Sequence, residues 1–175
     1  MPRLTWGGLS VRKTRREYPS FDCSLVVAAP PAHALDAFFD PKALSVWWQA
    51  TRSVTTPRAL GAYAVQWETT RHRDDILGVL GGTLHGVVAE YTPERELFLA
   101  GVYWLPPDGD AIGPMSIEVT CEPHAIPDEE EAGTLLRVAQ HGYEESERWS
   151  RYYEVVTIGW QDSLECLKAY LEGWR

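Results

Sequence analysis

A chain of 175 residues, 45% apolar and 23% charged, has the size and composition of one globular domain with a substantial core. Its net charge of −9 is uneven: residues 1–18 hold Arg3, Arg12, Lys13, Arg15 and Arg16 against Glu17 alone, leaving 11 basic and 24 acidic residues, a net of −13, for the rest. An acidic body excludes nucleic acid as the main partner, because phosphate binding needs a basic face, and with no stretch near 18 uninterrupted apolar residues neither a membrane span nor a signal peptide is expected.

The basic head, 1–18, has no amphipathic period and reads as a flexible or loosely docked tail, with residues 19–175 forming a single domain. After it, Phe21 to Ala28 is expected as a first strand, ended by Ala29-Pro30-Pro31. Ala32 to Asp40 then reads as a short helix burying Leu35, Phe38 and Phe39. Pro41 opens a second short helix through Trp47 and Trp48, since proline is tolerated at the first helical position. Strand-like runs follow at Thr51 to Thr56 and at Gly61 to Glu68, where Tyr63, Val65 and Trp67 share a face. Thr69 to Gly82 is read as a loop, and Thr83 to Tyr91 and Glu96 to Trp104 as strands joined by a proline turn. A Pro/Gly/Asp loop, 105–114, precedes a strand at Met115 to Cys121. The acidic run Asp128 to Glu131 is expected as a solvated hairpin tip. The last strand is Thr134 to His141, with Leu136, Val138 and Gln140 on one face.

The chain closes on Ser150 to Trp174, whose periodicity predicts one long amphipathic helix. Tyr153, Val156, Trp160, Leu164, Leu167 and Leu171 form its apolar stripe, with Tyr152, Val155, Gly159 and Cys166 on a flanking strip. Gly159 is costly inside a helix, by about 1 kcal/mol relative to Ala. It reads either as a point of close packing or as space beside a cavity. Strands joined by short loops, with helices kept apart from them, imply an antiparallel sheet in an α+β fold.

Four stretches carry a resemblance. Ala29-Pro30-Pro31 with LDAFFDPKALSVWW, Gly86 to Leu97, Gly133 to Tyr143, and Gly159-Trp160 with LECLKAYLE occur in an order and spacing similar to the START-related (SRPBCC) ligand-binding superfamily. Within it the chain resembles the branch named for the heat-shock chaperone ATPase activator. The resemblance spans roughly residues 21 to 172 and implies a helix-grip fold: a curved antiparallel sheet wrapped around the long C-terminal helix, closed at one end by two short helices. It also implies that a cavity often lies between sheet and helix. The chain departs from the branch around Asp74 to Gly82, at Pro106 to Pro114, and at Gln140, where the branch often has a His.

No catalytic motif emerges. The five His are scattered, Cys121-Glu122-Pro123-His124 is an isolated CxxH, and neither GxSxG, GxGxxG nor a Walker sequence occurs, so no metal site and no cofactor is expected. Cys23, Cys121 and Cys166 are odd in number and widely spaced without a CxxC, which reads as reduced, buried thiols in a cytoplasm. Glu118 and Glu68 read as exposed strand residues, and no catalytic residue is assigned.

Eight Trp and eight Tyr leave two readings, an aromatic core or an aromatic-lined pocket. Under the helix-grip resemblance the candidate lining is Trp48, Tyr63, Trp67, Met115, Gln140, Tyr153, Gly159 and Trp160, with Trp47 packing as core. The leading expectation is a binder of a hydrophobic or aromatic small molecule, oriented by Gln140 or a Tyr hydroxyl. An enzyme of the cyclase or hydrolase type using the same cavity is the alternative. A co-chaperone-like interaction module is another; it would expose Trp6, Trp149 or Trp174 in an apolar patch, on which a homodimer is possible.

Overall fold

A computed structural model of the chain describes residues 18–173; the basic head lies outside the described residues, apart from Tyr18, as does Trp174. Nine strands and three helices follow in the order β1 (Phe21–Val27), α1 (Pro31–Asp36), α2 (Pro41–Trp47), β2 (Arg52–Thr55), β3 (Ala62–Trp67), β4 (Arg73–Asp74), β5 (Gly78–Val79), β6 (Gly82–Thr92), β7 (Glu96–Leu105), β8 (Ile112–His124), β9 (Gly133–His141) and α3 (Glu147–Glu172). Seven strands form one antiparallel sheet in the order β1-β9-β8-β7-β6-β3-β2. The architecture is α+β and helix-grip, with the sheet curled around α3.

Alternation sets the inner face. Across the sheet Phe21 pairs with Gln140, Gln140 with Ile117, and Ile117 with Leu99, and each of these side chains is buried. Leu136, Val138 and Gln140 share that face at 0% exposure, as the period of two requires. Register shifts between β6 and β7 and between β7 and β8 add twist where the sheet curls. Gly101, at φ 56, supplies the left-handed backbone conformation within one of them.

Helix α3 buries Tyr153, Trp160, Leu164 and Leu167 from the expected stripe, together with Trp149 and Tyr152. Its far end is tied to β1, where Lys168 Nζ donates to the Val26 carbonyl at 2.7 Å and the Ala28 amide donates to Glu172 at 2.8 Å. The short helices cap one end of the barrel-like wrap. Trp47 Nε1 donates to the Ala37 carbonyl at 2.9 Å and Tyr63 Oη to the Phe38 carbonyl at 2.7 Å.

Several expectations are corrected. Helix α3 starts at Glu147, not Ser150, because Ser146 caps it by accepting from the Trp149 amide at 3.2 Å. Helix α1 stops at Asp36, and the amides of Phe38 and Phe39 then bond three residues back in a tighter turn. The stretch read as a loop at Thr69 to Gly82 contains the hairpin β4-β5, and β8 begins at Ile112, inside the expected 105–114 loop. The cysteines are free but not uniformly buried: Cys121 is buried, Cys23 half-buried and Cys166 exposed, since Cys166 lies just outside the arc of α3 that meets the sheet.

Candidate functional site

A cavity of about 570 Å³ opens between α3, the β3, β6 and β7 strand ends, the exit of α2 and the hairpin insert. Each element contributes by its own logic. At the end of α2, Gln49 takes a left-handed conformation (φ 56), so the Ala50 amide can reach back to the Leu44 carbonyl at 3.1 Å and Trp48 is held at the cavity wall. From the inner face of β3 comes Trp67, and from that of β7 comes Trp104. The insert contributes Thr70, Leu77, Leu80 and Gly81, and α3 contributes Tyr152, Val155, Val156, Gly159, Trp160 and Ser163.

The tryptophans pack on one another. Between ring centres Trp48 lies 4.9 Å from Trp47 in a stacked pair, 5.0 Å from Trp160, and 5.2 Å from Trp67 in an edge-to-face pair. Trp104 meets Tyr152 at 5.6 Å. Three of the four indole N–H groups on the wall are engaged inside the protein: Trp67 donates to the Trp48 carbonyl at 2.7 Å, Trp104 to the Gly81 carbonyl at 2.8 Å, and Trp160 to Gln140 Oε1 at 2.7 Å. Trp48 holds the centre of the cluster through its ring faces.

Gln140 is the polar centre, completely buried among apolar side chains. Its Oε1 accepts from Trp160, while Nε2 donates to Tyr152 Oη at 2.9 Å and to Met115 Sδ at 3.1 Å. The amide therefore has a partner for each of its two protons, as a buried amide needs. Burial pushes the Tyr152 phenol well above its ordinary value, and the Gln140 hydrogen bond offsets a smaller part of that rise.

Of the residues expected from sequence to line a pocket, Trp48, Trp67, Gln140, Gly159 and Trp160 lie on the cavity wall. Tyr63, Met115 and Tyr153 do not. Tyr63 is core beneath the short helices, Met115 sits behind Gln140, and Tyr153 turns its hydroxyl to the Gly142 carbonyl at 2.6 Å. A methyl group added at Gly159, an exposed position on α3, meets nothing within 4 Å, so the residue is not a point of close packing. Sequence reasoning missed Trp104, Tyr152 and the insert leucines as lining. Tyr152 was on the flanking strip of the helix, and Trp104 alternates with Val102, so both carried the signal of an inward face.

The ionisable side chains on the wall, among the described residues, are Tyr152 and the exposed Glu68. The buried carboxylate nearest in kind is Asp74, which is engaged elsewhere, with Arg151 and the amides of Ile76 and Leu77. Glu118 is half-exposed and pairs with Arg137 at 3.4 Å. Among the described residues no group of three His, Cys, Asp or Glu side chains is placed to hold a metal. Trp149, one of the three Trp expected to surface, is buried against Tyr143, Tyr152 and Tyr153, while Trp6 and Trp174 lie outside the described residues. Among the described residues no helix is long and apolar enough to cross a membrane.

Residues 28–172 match the profile of a family described as Activator of Hsp90 ATPase homolog 1-like protein. No curated protein gives a match to the sequence. Solved structures with the same fold include a Mycobacterium smegmatis protein, 14% identical with a TM-score of 0.64, covering 87% of this chain and 90% of that one. A Mesorhizobium loti protein, 20% identical, has a TM-score of 0.59 over 85% of this chain and 93% of its own. The Aha1 dimer from Colwellia psychrerythraea, 14% identical, has a TM-score of 0.58 over 87% and 96%. At these identities the likeness is one of fold.

Proposed function

We propose that the chain, which belongs to the Activator of Hsp90 ATPase homolog 1-like protein family, is a binding module that encloses a hydrophobic or aromatic small molecule between sheet and closing helix. The observation that carries this reading is the cavity itself: about 570 Å³, walled by four Trp and by Leu and Val side chains, with the buried Gln140 amide and Tyr152 hydroxyl among them. Binding sites for small molecules are commonly of this size and composition. The open space beside Gly159 supports it further, because a helix that served only packing would gain stability from a larger residue there.

An enzyme of the cyclase or hydrolase type is the weaker alternative. Acid–base chemistry in the cavity would need an enclosed carboxylate or imidazole, and the wall residues that titrate are Tyr152 and the exposed Glu68. The absence of an exposed Trp149 likewise weakens a co-chaperone-like interaction surface at that residue. A homodimer is a further proposal, suggested by the dimeric Colwellia psychrerythraea structure, and a cytoplasmic location is proposed on the free thiols.

Thermal shift with a panel of neutral bicyclic and tricyclic aromatics tests the reading. A ligand that binds the folded state alone raises the midpoint, and quenching of the wall Trp should follow the same concentration dependence. Gly159→Leu, which fills the open space, should abolish both responses. Shifts that are unaffected by Gly159→Leu would place binding elsewhere and overturn the proposal.

A further inference from the structure

The donors and acceptors around Gln140 leave one proton without a place. An indole N–H can only donate, so Trp160 must face the amide oxygen of Gln140. That fixes which end of the amide is which, and its NH₂ group then faces Tyr152 and Met115. Tyr152 Oη is thereby compelled to accept. Its own O–H proton has no acceptor among the described residues, although the side chain is 5% exposed and lines the cavity. Trp67 and Trp104 cannot take this part, because their N–H groups are engaged with backbone carbonyls; the Trp48 N–H, with no hydrogen bond among the described residues, is the competing donor that Tyr152→Phe tells apart. A buried hydroxyl with an uncommitted proton stabilises whatever brings it an acceptor.

We propose that the Tyr152 hydroxyl is the recognition donor of the cavity, and that the ligand is a neutral, flat aromatic molecule bearing an uncharged oxygen acceptor such as a ketone or quinone carbonyl. This rests on the small-molecule reading above and specifies its chemistry. Trp faces supply the stacking surface for the rings. Neutrality follows from the wall, where no buried charged side chain stands ready to compensate an ion. Donation from Trp160 into Gln140 and from Gln140 into Tyr152 runs in one direction, so each link polarises the next and strengthens the last O–H as a donor.

Fluorenone and fluorene test this directly, since they share three fused rings and differ in having a carbonyl or a methylene at one position. The full chain should bind fluorenone about tenfold more tightly than fluorene by Trp quenching, the ratio one well-made hydrogen bond supplies. The infrared carbonyl stretch of bound fluorenone should fall below its position in hexane. Tyr152→Phe should remove the preference and the shift, so that fluorenone binds no more tightly than fluorene. Ser163→Ala, which removes the half-buried hydroxyl on the same wall, should keep both. Should Tyr152→Phe fail to fold, the wild-type spectrum and Ser163→Ala still decide. Equal binding of the two probes with an unshifted carbonyl overturns the Tyr152 assignment and leaves the cavity reading standing. So does a shift that survives Tyr152→Phe or vanishes in Ser163→Ala. Binding of neither probe removes the cavity reading and the assignment together.

Discussion

Arg151 on α3 grips Asp74 on the insert, with Nε and Nη2 reaching the same carboxylate oxygen at 2.8 and 2.7 Å. Asp74 is 5% exposed, and its other oxygen accepts from the amides of Ile76 at 3.0 Å and Leu77 at 2.9 Å. One carboxylate thus shapes the turn of the β4-β5 hairpin and ties it to the helix. Leu77 and Leu80, on either side of β5, are carried onto the cavity wall by the same fastening. A second tie holds the hairpin from outside, where Asp108 accepts from Arg73 at 2.7 Å and from the Val79 amide at 2.9 Å.

Breaking the first tie should open the insert without unfolding the sheet. In Asp74→Asn the amides of Ile76 and Leu77 should exchange with solvent about tenfold faster or more, while those of β8 and β9 stay protected. The pH dependence has a definite sign. Arg151, then the backbone amides, hold the Asp74 carboxyl down from 3.8 to about 2. A lowered folded-state value stabilises above 3.8, and the contribution is lost as pH falls from there through about 2. Protection of the insert should therefore be flat from neutral pH down to about 4 and decline below it. An insert that loosens between pH 7 and 5 would contradict the assignment.

Gly159 should be replaceable with a gain in stability. It lies in regular helix, and an added methyl meets open space. Gly159→Ala should stabilise the fold by about 1 kcal/mol from helix propensity alone, measurable as a higher urea midpoint with an unchanged slope. A loss of stability would mean that the backbone there is more crowded than the geometry allows.

Gln140→Leu should be among the costly single changes. It strands the buried Trp160 N–H with its amide partner gone, at about 1–3 kcal/mol for the unsatisfied donor, and it removes the acceptor–donor link to Tyr152. Combining it with Trp160→Phe removes the stranded donor, so the double variant should lose less than the two single losses together. Strict additivity in denaturant titrations would show that the two residues do not act through their hydrogen bond.

The three thiols should react in order of exposure. Cys166 should be modified first by a thiol reagent in the native protein, Cys23 more slowly, and Cys121 only on unfolding. Burial pushes the Cys121 thiol up to about 12, so at neutral pH it is protonated as well as inaccessible. Mass spectrometry of peptides after timed labelling distinguishes the sites, and early labelling of Cys121 would reveal local opening of β8.

Local periodicity made much of this molecule readable from its residues. An inward face on β9 follows from the spacing of Leu136, Val138 and Gln140, and the gripped face of α3 from Tyr153, Trp160, Leu164 and Leu167, because these patterns depend on residues two to four positions apart. The order of strands and short loops, with the four family-like stretches, likewise contained the helix-grip arrangement. What periodicity cannot contain is whether the space beside an inward face is filled. Tyr63, Met115 and Tyr153 face inward as Trp67 and Trp160 do, yet the first three meet protein and the other two meet a cavity. The hairpin insert was illegible for a related reason, since Asp74 finds its partner 77 residues along the chain. Gln140 is buried by the alternation of its strand, but Trp160, 20 residues away on a different element, decides which end of its amide faces Tyr152. Sequence by itself determined which faces turn inward; the tertiary structure decided where those faces leave a gap and which proton points into it, because both depend on side chains that meet only when the chain is folded.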